Sequence, residues 1–402
     1  MTESIGIDAI TFSLPRSYVD LGDLALARGV AADKYRLGLG VSQMAIAAGD
    51  EDPVALAAAA GSRLLAASGR DPAEIGFCAV GTETAVDHSK PVSSYVHGLL
   101  GLPSRCRVFE TKHACFGATA ALLSATEWIA SGAARGRSAL IIASDIARYE
   151  IGSPGEPTQG AGAVAMIVSA KPRLIELEVG RSGSFARDVH DFWRPLHRKD
   201  ALVDGKFSVQ CYLDALDHAY RDWIEQAGDG GPLVRTCYHV PYGKMAHKAH
   251  RTRCAIDGLD EAAADRDFET TVASSLRFSS QVGNIYAGSL YLALASLLHA
   301  EAPALEGRRV GLFSYGSGCA AEFFAGRVAD GAAAVVASLD LGAPLAASAR
   351  ERLTIPAYEA LRRDDVAADR RPSPEDSPAG SDRPFAFLGV DPAERRRYMR
   401  AG

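Results

Sequence analysis

The stretch ETKHACFGATAALL (residues 110–123) passes from a polar run into a series of small apolar residues, and Cys115 stands where the two meet. Downstream, apolar residues recur at helical spacing and Gly132 can end the helix. The pattern predicts a buried helix of small residues that begins near Cys115, where the helix dipole favours the thiolate. Cys115 is therefore either a nucleophile or a structural core residue, because free cysteine also packs as a small hydrophobic side chain.

Length and composition indicate a soluble globular protein with two domains or one large two-lobed unit. The chain has 402 residues, of which 48% are hydrophobic and 23% are charged. A net charge of −6 argues against nucleic acid or an anionic membrane as partner. The sequence shows no signal peptide and no apolar run of about 18 residues that could span a membrane. Seven dispersed cysteines without a C-x-x-C pair indicate a reduced compartment, so we expect a cytoplasmic protein.

Strands and helices alternate along the chain, which predicts an α/β protein built from two similar halves, residues 1–170 and 171–402. The pattern predicts helices over 55–68, 93–101 and 288–300, and strands over 75–83, 139–145, 161–170, 233–242 and 309–318, with 319–329 continuing the last strand. Runs this apolar suit strands that are covered on both faces. The duplication rests on the order of elements and not on residue identity.

The C-terminal part of the chain differs in composition from the rest. Residues 364–383 are rich in Pro, Asp, Arg and Ser and predict a flexible loop or linker. The last 18 residues, 385–402, recover apolar character and are expected to dock back onto the protein. Their arginines at 395–397 are expected to form a solvated face.

Polar residues follow several of the predicted strands, where reactive groups gather in layered α/β folds. Glu83 is either a general base with a pKa raised by desolvation or a loop cap. His239 can hydrogen-bond a substrate carbonyl as a neutral imidazole, and the amide of Asn284 can orient a carbonyl or a water. In the turn SYGSG (314–318), the amide of Ser317 can form an oxyanion hole with the amide of Cys115.

The segment around His239 is rich in histidine and in basic residues. We predict no metal site at His239, His247 and His250, because the stretch offers no cysteine or carboxylate partner and the spacings match no common motif. The basic run is either an anion-binding patch or an ordinary solvated helix; it consists of Lys244, Lys248, His250, Arg251 and Arg253. Thiol, carboxylate, histidine, amide and glycine turn together suit acyl transfer onto cysteine followed by carbon–carbon bond formation.

From about residue 5 to about 330 the sequence resembles the 3-hydroxy-3-methylglutaryl synthases. The motifs that carry the resemblance are GTET (81–84), HACFGATAAL (113–122), GEPTQGAGAVAM (155–166), DFWRP (191–195), YHVPYGKMAHKA (238–249), VGNIYAGSLYL (282–292) and SYGSGCAAEFF (314–324). The resemblance implies a thiolase fold, with duplicated α/β/α halves in five layers, and a homodimer.

The resemblance also implies roles for individual residues. Cys115 would take an acetyl group from a thioester, and Glu83 would deprotonate the methyl group of that acetyl-enzyme. The carbanion would add to the β-ketone of an acetoacetyl-type thioester, which His239 binds and polarises with help from Asn284. Water would then release a 3-hydroxy-3-methylglutaryl-type product. Tyr149 matches a tyrosine near the acyl site, and no metal or further cofactor is implied beyond the coenzyme A or phosphopantetheine thioesters.

The carrier of the two acyl groups stays open at the level of sequence. DHSKP (87–91), TKHACF (111–116) and SDIARY (144–149) resemble the branch that works on acyl carrier proteins in polyketide β-branching, to which our interpretation leans. The alternative is the mevalonate branch, which uses coenzyme A. Lys244 and Lys248 would bind phosphate in either case, and the Trp and Pro of DFWRP are expected to shape the substrate channel.

Two other functions compete with the synthase hypothesis. A ketoacyl-synthase-type enzyme of the same fold would generate the carbanion by decarboxylation and would need no carboxylate at Glu83. A non-catalytic scaffold for acyl carriers would show no acylation of Cys115. Replacement of Glu83 by Ala separates the first two, because the synthase would still be acylated and would lose condensation.

Overall fold

The structure, a computed structural model, describes residues 3–227, 230–367 and 383–400. Its strands are β1 (Ile5–Ser13), β2 (Ser17–Asp20), β3 (Gln43–Ile46), β4 (Ile75–Gly81), β5 (Arg107–Thr111), β6 (Ser138–Ile146), β7 (Ala161–Ala170), β8 (Ile175–Ala186), β9 (Phe192–Trp193), β10 (Leu202–Val203), β11 (Arg235–Tyr238), β12 (Arg309–Gly316), β13 (Ala320–Val328), β14 (Glu351–Arg352), β15 (Phe385–Val390) and β16 (Arg396–Arg400). Its α-helices are α1 (Leu21–Ala27), α2 (Asp33–Arg36), α3 (Pro53–Ser68), α4 (Val92–Leu100), α5 (Gly117–Ala130), α6 (Gly205–Ala227), α7 (Gly243–Ile256), α8 (Glu261–Thr271), α9 (Ser279–Val282), α10 (Ser289–Leu305), α11 (Ala332–Leu339) and α12 (Ile355–Ala367).

The main sheet repeats one strand order in its two halves. Its nine strands run in the order β11-β12-β13-β8-β1-β7-β6-β4-β5. Reading outward from β1, the first half runs β1-β7-β6-β4, and reading outward from β8, the second runs β8-β13-β12-β11. In each half the first two pairings are antiparallel and the last is parallel. The topology therefore shows the duplication that residue identity does not show, with β5 as an extra edge strand in the first half.

Helices alternate with the two half-sheets in five layers, as expected for a thiolase fold. Helix α3 packs on β1, β6 and β7, and helix α6 packs on β8, β12 and β13. Helix α5 packs on β4 to β7 and helix α10 on β11 and β12, and the two helices touch through hydroxyl groups of Thr119 and Tyr291, 2.7 Å apart. Strands β4, β6 and β7 are apolar along their length because both faces of the sheet are covered there.

The segment 319–329 does not continue the preceding strand, as the sequence pattern suggested. The chain reverses after Gly316, and β13 returns antiparallel to β12, with Gly316 paired to Ala320. The glycine-rich turn between them is therefore the tip of a hairpin, which brings its backbone to one end of the sheet.

The C-terminal part of the chain packs against the first half. The expected boundary at residues 170 and 171 falls in the link between β7 and β8, but β14 pairs with β2 and the β15–β16 hairpin packs on α3. The expected docking of the last segment is therefore present. Of the predicted linker at 364–383, residues 364–367 are the end of helix α12, whereas 368–382 lie outside the described residues.

The arginines of the C-terminal hairpin are not one solvated face. Arg396 is partly buried and pairs with Asp52 at 2.7 Å, whereas Arg395 and Arg397 are exposed and pair with Asp391. Among the described helices none is long and apolar enough to cross a membrane.

Candidate active site

Two neighbouring parallel strands deliver the thiol and the carboxylate to one place. β4 ends at Gly81 and β5 ends at Thr111, so Glu83 and Cys115 both follow the carboxyl end of a strand. The start of α5 lies so close to Gly81 that a Cβ there would be 2.2 Å from the backbone nitrogen of Ala118, which requires glycine. In this arrangement Cys115 Sγ donates a hydrogen bond to Glu83 Oε1 at 3.4 Å.

Five of the predicted site residues line one cavity of about 260 Å³, and a sixth adjoins it. Cys115, Tyr149, His239, Asn284 and Ser317 lie in its wall. Glu83 is 8% exposed and stands behind Cys115. The rest of the wall is largely apolar and includes Leu39, Phe192, Val209, Tyr212 and Met245. Convergence of polar groups in an apolar cavity is typical of a catalytic pocket, and a core cysteine or a loop cap would not produce it.

The predicted thiolate at Cys115 is not supported by its surroundings. Helix α5 begins at Gly117, so Cys115 lies just before the helix dipole. Burial raises the pKa of the Cys115 thiol well above its usual value, and the charge of Glu83 raises that pKa further. Burial and the neighbouring carboxylate both disfavour the anion, so we expect the resting group to be a thiol that donates to Glu83.

The carboxyl of Glu83 lies between two opposite charges. Burial raises the pKa of Glu83, and the neighbouring carboxylate of Asp145 raises it further, whereas the guanidinium of Arg194 lowers it. A carboxyl group with a raised pKa is a stronger base once it has lost its proton. This is the property that the removal of a proton from a thioester methyl group requires.

Asp145 is a functional residue that the sequence analysis did not identify. One of its oxygens, Oδ1, accepts hydrogen bonds from the backbone of Glu83 at 2.9 Å and from both the backbone and hydroxyl of Thr84. The other oxygen accepts from the backbone of Ala287 at 3.0 Å. Asp145 thus ties the loop of the base to the loop that carries Asn284. Asp145 lies in the motif SDIARY (144–149), which we used at the level of sequence only to compare branches of the family.

Arg194 is the second residue that was missed. Its Nη2 donates to the backbone carbonyl of Glu83. In the motif DFWRP we expected Trp193 and Pro195 to shape the channel, but the cavity wall contains Phe192, and Trp193 is exposed. The alternation along the short strand β9 turns Phe192 inward and Trp193 outward, so this expectation was wrong.

His239 is a buried, neutral imidazole. Burial lowers the pKa of His239 to about 3. Hydrogen bonds fix the backbone of His239. Its N–H donates to the carbonyl of Phe313 at 2.8 Å, and its carbonyl accepts from the hydroxyl of Tyr212 at 2.7 Å. A neutral imidazole in this position can donate a hydrogen bond to a ketone oxygen without adding a charge to the cavity.

The side chain of Asn284 presents its amino group to the cavity. Its Oδ1 accepts from the backbone of Tyr286 and from the hydroxyl of Ser289, both at 2.9 Å. With the oxygen satisfied by the protein, Nδ2 is the group that is available to a substrate carbonyl. Tyr149 is held by its backbone, which donates to Gln159 Oε1 at 2.9 Å and accepts from Arg362 at 3.1 Å.

The turn that carries Ser317 approaches the cysteine loop closely. A Cβ at Gly316 would lie 2.4 Å from the carbonyl oxygen of His113, so the two loops touch through their backbones. Asp191 fixes the turn, accepting from the backbone of Gly318 at 2.9 Å and from the hydroxyl of Tyr315 at 2.7 Å. The approach is compatible with the predicted oxyanion hole of backbone amides.

The basic run is divided between the surface and the interior of the protein. Lys244 and Lys248 are exposed one turn apart on α7, outside the cavity wall, whereas Met245 of the same helix lines the cavity. His250 and Arg253 are buried, and Arg251 pairs with Asp265 at 2.5 Å. An anion patch of five residues is therefore wrong, and only the two lysines suit the binding of a phosphate.

Comparison with known proteins agrees with this geometry. The chain matches the family described as hydroxymethylglutaryl-coenzyme A synthase N terminal over residues 1–172, and the corresponding C-terminal family over residues 175–257 and 247–398. The hydroxymethylglutaryl-CoA synthase of Enterococcus faecalis is 39% identical over 329 residues, which are 82% of this chain and 84% of that protein.

Solved structures with the same fold include relatives from both branches. The structure of MvaS in complex with 3-hydroxy-3-methylglutaryl coenzyme A is 46% identical, covers 100% of both chains and superposes with a TM-score of 0.91. The HMG synthase of the curacin biosynthetic pathway, in complex with acetyl donor-ACP, is 30% identical, covers 99% of this chain and 100% of that chain, and has a TM-score of 0.90. The chain therefore belongs to the hydroxymethylglutaryl-CoA synthase family, whose members are acyl-transferring enzymes that form carbon–carbon bonds.

Proposed function

We propose that the protein condenses an acetyl thioester with an acetoacetyl thioester, both on coenzyme A, and releases a 3-hydroxy-3-methylglutaryl thioester. The observation that carries the proposal is the contact of Cys115 Sγ with Glu83 Oε1 at 3.4 Å, beside a cavity that also contains the neutral His239. A decarboxylating ketoacyl synthase has no use for a buried carboxylate at this distance from its nucleophile.

The first step is acetyl transfer to the sulfur. The Cys115 thiol loses its proton and attacks the thioester carbonyl, and the leaving thiol of the donor takes up a proton. The oxyanion that forms would be stabilised by the backbone amides of Cys115 and Ser317, and such a donor contributes about 3 kcal/mol to catalysis. Acetylation also removes the thiol group that donates a hydrogen bond to Glu83 in the resting enzyme.

The second step forms the carbon–carbon bond. Ionised Glu83 removes a proton from the acetyl methyl group, and the enolate carbon attacks the β-carbonyl carbon of the acceptor. Negative charge develops on the ketone oxygen, toward which we direct the N–H of His239, with the amino group of Asn284 assisting. That oxygen takes up one proton to become the 3-hydroxyl group, and Glu83 releases the proton that it took from the methyl group. Water then cleaves the enzyme thioester, which restores Cys115. Tyr149 lines the same cavity and would contact the acyl group.

Sequence identity favours coenzyme A over an acyl carrier protein as the carrier. Identity is 46% to the MvaS complex and 30% to the curacin synthase. The exposed Lys244 and Lys248 would bind the phosphates of coenzyme A. The carrier-protein reading, which motifs such as DHSKP suggested, stays the second candidate because a carrier-binding relative has the same fold. The homodimer and the cytoplasmic location stay predictions.

The donor can be identified by the mass of the intact protein. We would mix the protein with acetyl-coenzyme A or with acetylated carrier protein and follow the mass after rapid quenching. We expect fast gain of an acetyl group from acetyl-coenzyme A, and slow or no gain from the carrier protein. The reverse order of rates would establish the carrier branch. No acetylation by either donor would rule out both the coenzyme A proposal and the carrier-protein candidate.

The role of Glu83 is tested by Glu83→Ala, with Glu127→Ala as the control because Glu127 is exposed on α5. We expect Glu83→Ala to be acetylated at least as fast as the parent protein, because the charge that raises the pKa of Cys115 is removed. Condensation should fall by about 10²–10⁴-fold, the usual contribution of a general base. If Glu83→Ala condensed at the parent rate, the proposal would be wrong.

A further inference from the structure

A buried histidine, a cysteine and an aspartate meet between helices α7 and α8, away from the residues that line the active-site cavity. His250 and Cys254 are one turn apart on α7, and Asp267 lies on α8. One potential ligand atom of each lies within 4.8 Å of those of the other two. His250 Nε2 is 2.9 Å from Asp267 Oδ2 and 3.3 Å from Cys254 Sγ. The cysteine and carboxylate partners whose absence argued against a metal near His250 are therefore supplied by Cys254 and Asp267.

Within this cluster, one protonation state of the imidazole satisfies His250 and Asp267 by hydrogen bonds and leaves only the thiol proton of Cys254 without an acceptor on the ring. Both Cys254 and Asp267 converge on the same ring nitrogen, Nε2 of His250, and Nδ1 already faces the hydroxyl of Tyr238 at 3.1 Å. If Nε2 carries the proton and donates to Asp267, the ring offers no acceptor to the thiol. If Nε2 instead accepts from the thiol, it carries no proton of its own to donate to the carboxylate of Asp267.

A cation at the point of convergence satisfies all three groups. It would take the lone pair of Nε2, and Nδ1–H would then donate to the Tyr238 hydroxyl, in the position where a metal-bound histidine usually donates to a carboxylate, a backbone carbonyl or a water. We propose that His250, Cys254 and Asp267 bind one divalent transition-metal ion, for which Zn²⁺ is the best match to one nitrogen, one sulfur and one oxygen ligand.

Burial and charge are consistent with this site. The side chains of His250 and Cys254 are fully buried, whereas that of Asp267 is 35% exposed and leaves a path for the ion and for water as the fourth ligand. On binding, the Cys254 thiol releases its proton to solvent, so that thiolate and carboxylate balance the two charges of the ion. The guanidinium of Arg253 also lies 3.9 Å from Asp267 Oδ2, but its closer contacts are to Asp257 at 3.3 Å, whose charge balances it, and to the hydroxyl of Thr236 at 2.9 Å.

The ion would act on the structure and not on the reaction. It would join α7 to α8, and α7 begins at Gly243, four residues after His239, and contributes Met245 to the cavity wall. We therefore expect metal binding to stabilise the helix that forms one side of the substrate cavity. This effect does not depend on which thioester the protein uses.

Cobalt is the probe for the test, because Co²⁺ replaces Zn²⁺ and reports its ligands. The full chain would be stripped with a chelator and titrated with CoCl₂. We expect about one Co²⁺ per chain in a tetrahedral site, with visible d–d bands and a near-ultraviolet thiolate-to-cobalt band that ZnCl₂ abolishes. Cys254→Ser should lose the thiolate band, whereas the matched control Cys106→Ser should keep it. The titration is also done with Cys115→Ser, which should keep the band because that thiol lies in the active site.

Two further variants keep the test decisive if Cys254→Ser folds poorly. Asp267→Asn changes a partly exposed side chain, and added ZnCl₂ should raise the melting temperature of the parent protein but not of this variant. Tyr238→Phe should weaken Co²⁺ binding by about 10–100-fold, the usual effect of an outer-sphere partner. Absence of the cobalt bands in the parent protein, or their persistence in Cys254→Ser, would show that the cluster is only a buried polar contact.

Discussion

At the scale of single residues, the site depends on the charges around Glu83. Asp145 and the low polarity of the site hold the pKa of Glu83 up, and Arg194 holds it down. Glu83 must be ionised to remove the methyl proton, so condensation is expected to increase with pH through the raised pKa of Glu83, above the usual glutamate value of about 4.3. Because Arg194 lowers the pKa of Glu83, it extends the range in which the enzyme is active to lower pH.

Replacing Arg194 by Gln tests this balance. Loss of the guanidinium should raise the pKa of Glu83, so the acidic limb of the condensation rate should move to higher pH by about 1 unit or more. The measurement is the single-turnover rate of the acetyl-enzyme across a pH series. Arg198→Gln is the control, because Arg198 is exposed on the same loop. An unchanged limb in Arg194→Gln would show that Arg194 only fixes the backbone of Glu83.

The sequence indicated the residues that react and missed those that position them. Glu83 and His239 could be found because each follows an apolar strand, and Cys115 because it stands where a polar run meets a helix of small apolar residues. Asp145 and Arg194 act on Glu83 from 62 and 111 residues away, through its backbone. No local pattern contains such a contact. For the same reason the sequence suggested a thiolate at Cys115, since the helix is visible locally and the neighbouring carboxylate is not.

At the scale of elements, helices α5 and α10 are joined by buried hydroxyl groups. The hydroxyl of Thr119 lies 2.7 Å from that of Tyr291 and 2.7 Å from that of Ser314, which precedes the glycine turn. Thr119→Val keeps the shape of the side chain and removes both hydrogen bonds. We expect the free energy of unfolding to fall by about 1–3 kcal/mol, because buried polar groups lose their partners.

Urea unfolding measures this effect. Thr270→Val is the control, since Thr270 is exposed near the end of α8. Equal stability of Thr119→Val and the parent protein would mean that the hydroxyl cluster adds nothing to the contact between α5 and α10.

The C-terminal hairpin is attached to the first turn of α3 through one carboxylate. Asp52 caps α3, accepting from the backbone of Ala55, and also accepts from Arg396 and Tyr398. Arg396→Ala should speed hydrogen exchange in β15 and β16 and lower stability by about 1 kcal/mol, because the ion pair is only partly buried. Arg395→Ala, which removes an exposed partner of Asp391 in the same hairpin, should change neither quantity. Equal exchange rates in the two variants would contradict this account.

At the scale of the molecule, the two halves share one strand order although their sequences differ. The order of apolar runs was sufficient to predict an α/β protein in two halves, because strand and helix periods are local. The reversal at Gly316 and the return of the C-terminal segments to the first half were not predictable in this way. The return of the C-terminal segments depends on partners far along the chain, such as the pairing of Glu351 with Ser17, whereas the reversal at Gly316 joins two neighbouring strands whose apolar runs resemble one continuous strand.

The two halves are expected to unfold together, because the larger of two hydrophobic clusters contains buried residues from Ile5 to Phe385 and β1 pairs directly with β8. The three tryptophans allow a direct test, since Trp128 is buried in the first half, Trp223 is buried in the second, and Trp193 is exposed. Two variants, Trp193→Phe with Trp223→Phe and Trp193→Phe with Trp128→Phe, leave one reporter in each half. Within each variant, the fluorescence transition in urea should coincide with the circular dichroism transition of the whole chain. A fluorescence midpoint that departs from the circular dichroism midpoint would show that the halves are separate folding units joined by the β1–β8 pairing.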